Sequence, residues 1–511
     1  MNHQNIPLLA VASVPKHLAS KKSLALAFLF FGALFSVGFF LPLFSPTQIL
    51  NMLLITALCI GELFIMVHAF GFARNIIKIK KPKASYQITA GSPILWPSVA
   101  LLLPARNEPL ALVEKTLATL SMMDYPNKKV YFIEDSTDPL LVQMGKEMAK
   151  KHNAVFFRPK NINGGKAGIL NEFLKTMQEE YLAIFDADQN PFPSFLKETV
   201  SIALSNKNIC FVQTPQFYWN TDNSKIARVA AMQQSIFFES IGEAKSVSNA
   251  MFCCGTNVLI RKGPLMEAGG FNELSITEDF DVSMKFHMLG YSSVYYNRVR
   301  VFGMAPESLS GYLKQQARWA SGTTAAMVKL LKLFWTDKKI LTKSQWWEYF
   351  LSASYYFIGW SFLLLMICPI AFLLIGLPTY FIHPAWYFYL FIPYYISVAL
   401  IFYLAMKKRN YTFSQIYQGA ILSSIIFPIL IMSTVKGLFP KKREFEVTPK
   451  FAQDTMHFWK LWPWTAAILI NLGAIVVGVM KFSTNPAAVS INISWCLYNI
   501  FIISHIYYLN K

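Results

Sequence analysis

Acidic side chains are scarce in this chain. There are 28 Asp and Glu against 47 Lys and Arg in 511 residues, and charged residues of both signs make up only 15%. That is too little charge for a soluble enzyme and too much for a chain that lies wholly in a membrane. Cysteine is equally sparse. The six copies show no metal-ligand spacing. The neighbours Cys253 and Cys254 read as reduced packing residues, as expected of a cytosolic catalytic region. No Walker phosphate loop occurs either. The run Gly164-Gly165-Lys166-Ala167-Gly168 has the wrong spacing for one, although glycines, a lysine and a helix amino end suit phosphate.

Long apolar runs are plentiful. Residues 23–44, 48–72, 355–377, 384–406, 462–480 and 489–509 each offer about 20 apolar positions, enough to cross a bilayer core. The first is too long for a signal-peptide core and reads as a retained helix. A seventh stretch, 413–435, contains Gln415, Gln418 and Pro428. If it spanned, the basic groups at 407–409 and 441–443 would lie on opposite sides, so it reads as a helix on the cytosolic face. The formal charge of +19 has the same origin, because Lys and Arg cluster beside the apolar runs. Topology and contact with anionic lipid explain that charge better than nucleic acid does. The expected layout is six spans with both termini in the cytosol. It divides the chain into a helical pair with a basic linker (1–93), a polar domain (94–324) and further helices (325–511).

The polar domain alternates short apolar runs with helical spacing. Strands are expected at 98–103, 130–133, 154–157 and 181–185, and helices at 112–120, 140–150 and 168–177. Such alternation predicts a mainly parallel sheet with helices on both faces, and ligands at the carboxyl ends of its strands. Asp135 and the pair Asp186/Asp188 sit at such ends.

These acidic groups suggest chemistry. In extended chain Asp186 and Asp188 point to one side and suit a hard divalent cation, with a solvated turn as the alternative. Asp135 can accept hydrogen bonds from a base or ribose, while Ser136, Thr137 or Asp138 can cap the next helix. Thr277-Glu278-Asp279 leads into a helix whose amino end favours ionised carboxylates and so lowers their basicity. Asp279 is the candidate general base, with Glu278 or Asp281 as alternatives. Gln315, Arg318 and Trp319 share a helical face, where Arg suits diphosphate oxygens and Trp a sugar ring. An interfacial Trp–Arg pair beside a membrane is the rival explanation.

Together these residues resemble the processive family 2 glycosyltransferases, most closely the catalytic subunit of bacterial cellulose synthase. Further segments carry the likeness: Phe211-Val212-Gln213-Thr214-Pro215, Phe252-Cys253-Cys254-Gly255-Thr256-Asn257, Gly303-Met304-Ala305-Pro306-Glu307 and Phe445-Glu446-Val447-Thr448-Pro449-Lys450. The last resembles that family's gating loop.

The resemblance implies an α/β domain of GT-A type inserted among about six transmembrane helices plus interfacial helices. It implies an inverting transferase that polymerises a β-linked polysaccharide, β-1,4-glucan from UDP-glucose being favoured, and extrudes it through its own channel. By the same likeness Asp135, Lys166, Asp186, Arg318, Thr448 and Lys450 would contact the donor nucleotide or diphosphate. Asp188, with Asp186, would hold Mg2+ or Mn2+, Asp279 would be the base, and Gln315 and Trp319 would meet the acceptor. Implied partners are a nucleotide sugar, the growing polysaccharide, the lipid bilayer (a bacterial inner membrane) and accessory export subunits. No cyclic di-GMP-binding domain is expected in this chain. Tyr355, Tyr356 and Trp360 are candidate channel residues or an aromatic belt. Two other functions stay open: a non-processive membrane glycosyltransferase acting on a lipid or glycan, and a non-catalytic scaffold or transporter.

Overall fold

The computed structural model describes residues 49–78, 95–160, 165–377, 384–407, 411–439 and 455–510, with isolated positions before residue 33. After α1 (Ile49–Lys78), the polar domain alternates as its apolar runs require. The order is β1 (Val99–Ala105), α2 (Leu110–Ser121), β2 (Lys128–Glu134), α3 (Pro139–Lys151), β3 (Val155–Phe157), α4 (Gly165–Leu174) and β4 (Tyr181–Ile184). There follow β5 (Asn190–Pro191), α5 (Phe195–Leu204), β6 (Ile209–Gln213), β7 (Phe217–Tyr218), α6 (Lys225–Ile236), α7 (Gly242–Val247), β8 (Val258–Arg261) and α8 (Lys262–Glu267). The domain continues through α9 (Glu278–Met288), β9 (Ser292–Tyr295), β10 (Val301–Gly303) and α10 (Leu309–Thr336).

Seven strands form one sheet in the order β3-β2-β1-β4-β8-β6-β9. Only β8 runs against its neighbours, so the sheet is mainly parallel. Alternation along β1 feeds both layers. Val99, Leu101 and Leu103 pack with Leu117, Phe132 and Phe195 on one face. Ala100 and Leu102 pack with Leu170, Phe173 and Phe286 on the other. The strands β5, β10 and β7 make a small second sheet beside the carboxyl end of β4.

The remaining helices are α11 (Lys343–Ser354), α12 (Ile358–Ile375), α13 (Pro384–Lys407), α14 (Phe413–Ile425), α15 (Phe427–Leu438), α16 (Trp462–Met480) and α17 (Pro486–Leu509). Among the described residues four stretches are long and apolar enough to cross a membrane: Ile49–Lys78, Lys343–Ile375, Phe458–Met480 and Pro486–Leu509. The bent pair α14 and α15 makes a fifth if it counts as one span. The expected span at 23–44 falls almost wholly outside the described residues.

One expectation changes. The stretch 413–435 is not one helix but two, bent by 51°. Pro428 stands in the first turn of α15, where it lacks an amide to continue α14. Helix α10 runs unbroken through residue 324, the expected edge of the polar domain. Its Leu309, Tyr312, Leu313 and Ala320 share a core with Leu422, Leu430, Trp464 and Ile503 of α14 to α17. The polar domain and the helical bundle are therefore packed as one body along α10.

Candidate active site

The site grows out of the carboxyl ends of β1, β2 and β4. Asp135 follows β2, and its amide donates to the Ala105 carbonyl at 2.9 Å. Its carboxylate is 1% exposed, with Arg106 Nη1 at 3.7 Å from Oδ2, while Oδ1 is buried with no hydrogen-bond partner. Burial pushes the Asp135 carboxyl up to about 6, against the pull of Arg106 and Arg158. Capping of α3 falls instead to Asp138, which accepts from the Leu140 amide at 2.9 Å.

Asp186 and Asp188 follow β4. The extended geometry expected for this pair is absent, because the Gln189 amide donates to the Asp186 carbonyl at 2.9 Å and closes a turn. Within that turn Asp188 is 2% exposed, while the Asp186 side chain is 42% exposed. Both carboxylates still line one cleft. Lys166, in the first turn of α4, donates to Asp186 Oδ1 and, at 2.9 Å, to the Gly255 carbonyl. Burial pulls the Lys166 ammonium down, but Asp186, Glu278 and Asp279 outweigh it and hold it above the usual lysine range.

The loop between α7 and β8 brings Gly255 and Thr256 against these groups. Asn257 Nδ2 donates to Gln189 Oε1 at 2.8 Å, and Gln213 Oε1 accepts from the Cys254 amide at 2.9 Å. Gly255 has φ +76°, and a Cβ there would lie 3.0 Å from Asp279 Oδ2. Asp279 therefore sits against bare backbone. Burial, then the Glu278 charge, push its carboxyl up to about 7, although the Phe280 amide donates to Oδ1 at 2.8 Å. Glu278 is likewise raised by burial, against Lys166 and Arg318. The lowered basicity expected at a helix amino end is thus reversed, because desolvation exceeds the backbone's contribution.

Gln315, Arg318 and Trp319 project from α10 into the same cleft. Gly322, one turn on, permits close approach, since a Cβ there would meet Thr277 Cγ2 at 2.5 Å. Asp135, Lys166, Asp186, Asp188, Glu278, Asp279, Gln315, Arg318 and Trp319 all line one cavity. Asp281 does not. It turns away and pairs with Lys329 at 2.6 Å, which removes it as an alternative base. Thr448 and Lys450 lie outside the described residues. Sequence reasoning missed Arg106, Gln189, Gln216 and Tyr218, which also line the cavity. Arg106 alone carried a signal, as a cation directly after a buried strand.

The donor set fits a hard divalent cation. The Asp186 and Asp188 carboxylates line the same cleft, and among the described residues no group of three or more His, Cys, Asp or Glu forms a complete cage. Magnesium and similar ions take few protein ligands and complete their shell on phosphate and water.

Residues 181–406 match the family described as "Glycosyl transferase family group 2". Over that stretch the chain is similar to glycosyltransferase family 2 domains. It is 29% identical over 427 residues to the "Cellulose synthase catalytic subunit [UDP-forming]" of Pseudomonas fluorescens (strain SBW25), covering 80% of this chain and 56% of that protein. It is 31% identical over 234 residues to the protein of the same name from Xanthomonas axonopodis pv. citri (strain 306), covering 45% of this chain and 32% of that one. The chain thus spans about half or less of the length of these relatives. A solved mannosyltransferase from Pyrobaculum calidifontis, in complex with GDP-Man and Mn2+, aligns at a TM-score of 0.53 and 19% identity. The alignment covers 76% of this chain and 99% of that one, and the shared architecture is a GT-A-like fold. The expected family and fold of the polar domain hold.

Proposed function

We propose that this chain is an inverting, processive membrane glycosyltransferase. In this reading it builds a β-linked polysaccharide, β-1,4-glucan from UDP-glucose, and passes it out through a channel among six spans. Its transferase domain faces the cytosol of a bacterial inner membrane. The observation that carries the reading is the convergence of the three acidic motifs and the Gln315/Arg318/Trp319 face on one cleft.

Asp135 receives the nucleotide, aided by Arg106. Thr448 and Lys450 belong to the loop assigned to closing over it. Lys166 and Arg318 meet the diphosphate oxygens. Asp188 and Asp186 would hold a divalent cation, Mg2+ or Mn2+, which would supply positive charge beside the leaving diphosphate. Trp319 stacks on the acceptor sugar and Gln315 bonds its hydroxyls. The acceptor hydroxyl oxygen bonds to the anomeric carbon of an α-linked donor sugar, and Asp279 takes the hydroxyl proton. The bond from that carbon to the diphosphate breaks on the opposite face, so configuration inverts. A carboxyl raised to about 7 is a stronger base than an ordinary aspartate and still ionises near neutral pH.

The relatives' printed name, UDP-forming cellulose synthase, supports glucose as the sugar. The test is to incubate the purified chain with UDP-glucose, UDP-N-acetylglucosamine or GDP-mannose and Mg2+ or Mn2+, followed by linkage analysis. Long 1,4-linked glucan from UDP-glucose is expected. Single-sugar products would replace the processive reading, and no transfer from any donor would remove the catalytic one.

A further inference from the structure

Asp281 is a buried acid for which the transfer chemistry has no use. It lies two residues beyond Asp279 on α9, and positions two apart on a helix are separated by about 200°. Asp279 faces the cleft, so Asp281 faces away from it. There it is 3% exposed. Its Oδ2 accepts from Lys329 Nζ at 2.6 Å and from Asn272 Nδ2 at 2.7 Å, and its Oδ1 is buried without a partner.

Lys329 belongs to α10, the helix that carries Gln315, Arg318 and Trp319. Asn272 belongs to the loop before α9. An apolar cluster of Phe280, Met284, Ala326, Leu330 and Tyr349 already holds α9 and α10 together. Apolar packing is non-directional, however, and tolerates small slides. Two contacts fix the register instead. Thr277 meets Gly322 where a Cβ would clash at 2.5 Å, and about one turn further along α9 Asp281 meets Lys329. The pair is buried on its Asp281 side and half-exposed on its Lys329 side, so it adds little net stability, but it defines a unique geometry.

Resting on the reading of Asp279 as base, we infer that the Asp281–Lys329 pair is a positioning device that sets the base against the diphosphate and acceptor residues of α10. It touches neither donor nor acceptor. It fixes the separation of Asp279 from Arg318 and Trp319, which are reached from two different helices. A misplacement of about 1 Å in such an arrangement costs about a hundredfold in rate.

The experiment uses the full chain in detergent, with donor Kd, kcat, donor KM and thermal midpoint measured for each variant. The variants are Lys329→Met, Lys329→Arg and Asp281→Asn, with Asp279→Asn for calibration. Lys329 is half-exposed, so Lys329→Met folds even if Asp281→Asn does not. Lys329→Met is expected to lower kcat by about tenfold or more with donor KM and Kd within about twofold. Lys329→Arg, which keeps the ion pair, is expected to restore most of kcat. If Lys329→Met lowers the thermal midpoint while kcat stays at the wild-type value, the pair is structural only and the inference falls alone. If Asp279→Asn keeps wild-type activity, or the wild-type chain transfers no sugar, the transferase reading fails and takes the inference with it.

Discussion

Asp279 meets two opposing influences. The amide of Phe280 and the amino end of α9 favour its charged form, while burial and the neighbouring Glu278 charge oppose it. Burial wins, and the carboxyl rises to about 7. In the proposed mechanism the charged form is the base, so kcat/KM of the free enzyme is expected to rise with pH through about 7 and to level off above it. A pH–rate profile reads this limb, and a limb left unshifted in active Asp279→Glu protein would mean that another group titrates. The sign for stability is the reverse. The folded pKa lies above the unfolded one, so the contribution of Asp279 is complete below the ordinary carboxylate range and is lost as pH rises through about 7. Asp279→Asn is therefore expected to abolish transfer while raising the thermal midpoint at alkaline pH. Behind the carboxylate, Gly255→Ala adds a Cβ 3.0 Å from Asp279 Oδ2 at a backbone angle that L-residues avoid. The strain is about 1–2 kcal/mol, and transfer assays should show a fall in kcat larger than the change in donor KM.

At the scale of elements, legibility followed the strength of the local pattern. Buried strands such as β1 and β4 were readable because continuous apolar runs bounded by turns have few other uses. The turn at Asp186 to Gln189 was not, because an Asp-x-Asp sequence suits extended chain and turn alike and tertiary contacts decide. One such contact is the Thr116 hydroxyl donating to the Ala187 carbonyl at 2.6 Å. The bend between α14 and α15 was signalled by Pro428 and still read as one helix, since apolar content dominates a long window. The ion cluster where α1 meets the transferase domain was invisible, because its members are far apart in sequence. Glu348 of α11, fully buried, accepts from Arg74 at 3.4 Å and from Lys245 at 3.4 Å, with Lys78 at 3.9 Å. Lys78 also donates to Ser248 and Ser344 at 2.8 Å each. Burial lowers the Lys245 ammonium below the usual lysine range, so it depends on this carboxylate for its charge. Glu348→Gln leaves that ammonium uncompensated, at a cost of about 3–5 kcal/mol. A markedly lower thermal midpoint is expected, and a midpoint within about 1 °C of wild type would show that solvent reaches the cluster.

For the whole molecule, α10 is the element that joins chemistry to membrane. Its first half carries Gln315, Arg318 and Trp319 to the cleft, and the same half packs on α15 and the bundle core. Gly437 of α15 lies so close that a Cβ would stand 2.5 Å from the Ser321 carbonyl and 2.6 Å from Thr324 Cβ. A bulky group there must push α10 away from the bundle and move the acceptor face relative to the sheet that holds Asp135, Asp186 and Asp188. Gly437→Leu is therefore expected to cost about 1–3 kcal/mol through overpacking. Under the proposed processive mechanism it should also shorten the product, because each round of extension would need the polymer end to return to Trp319. Donor binding should fall less than product length, since Asp135, Lys166, Asp186 and Asp188 stay with the sheet and Arg318 moves with α10. Product length against donor Kd separates these effects. Normal chain lengths in folded Gly437→Leu protein would mean that the acceptor end is held without this seam, and the proposed processivity would then need another source.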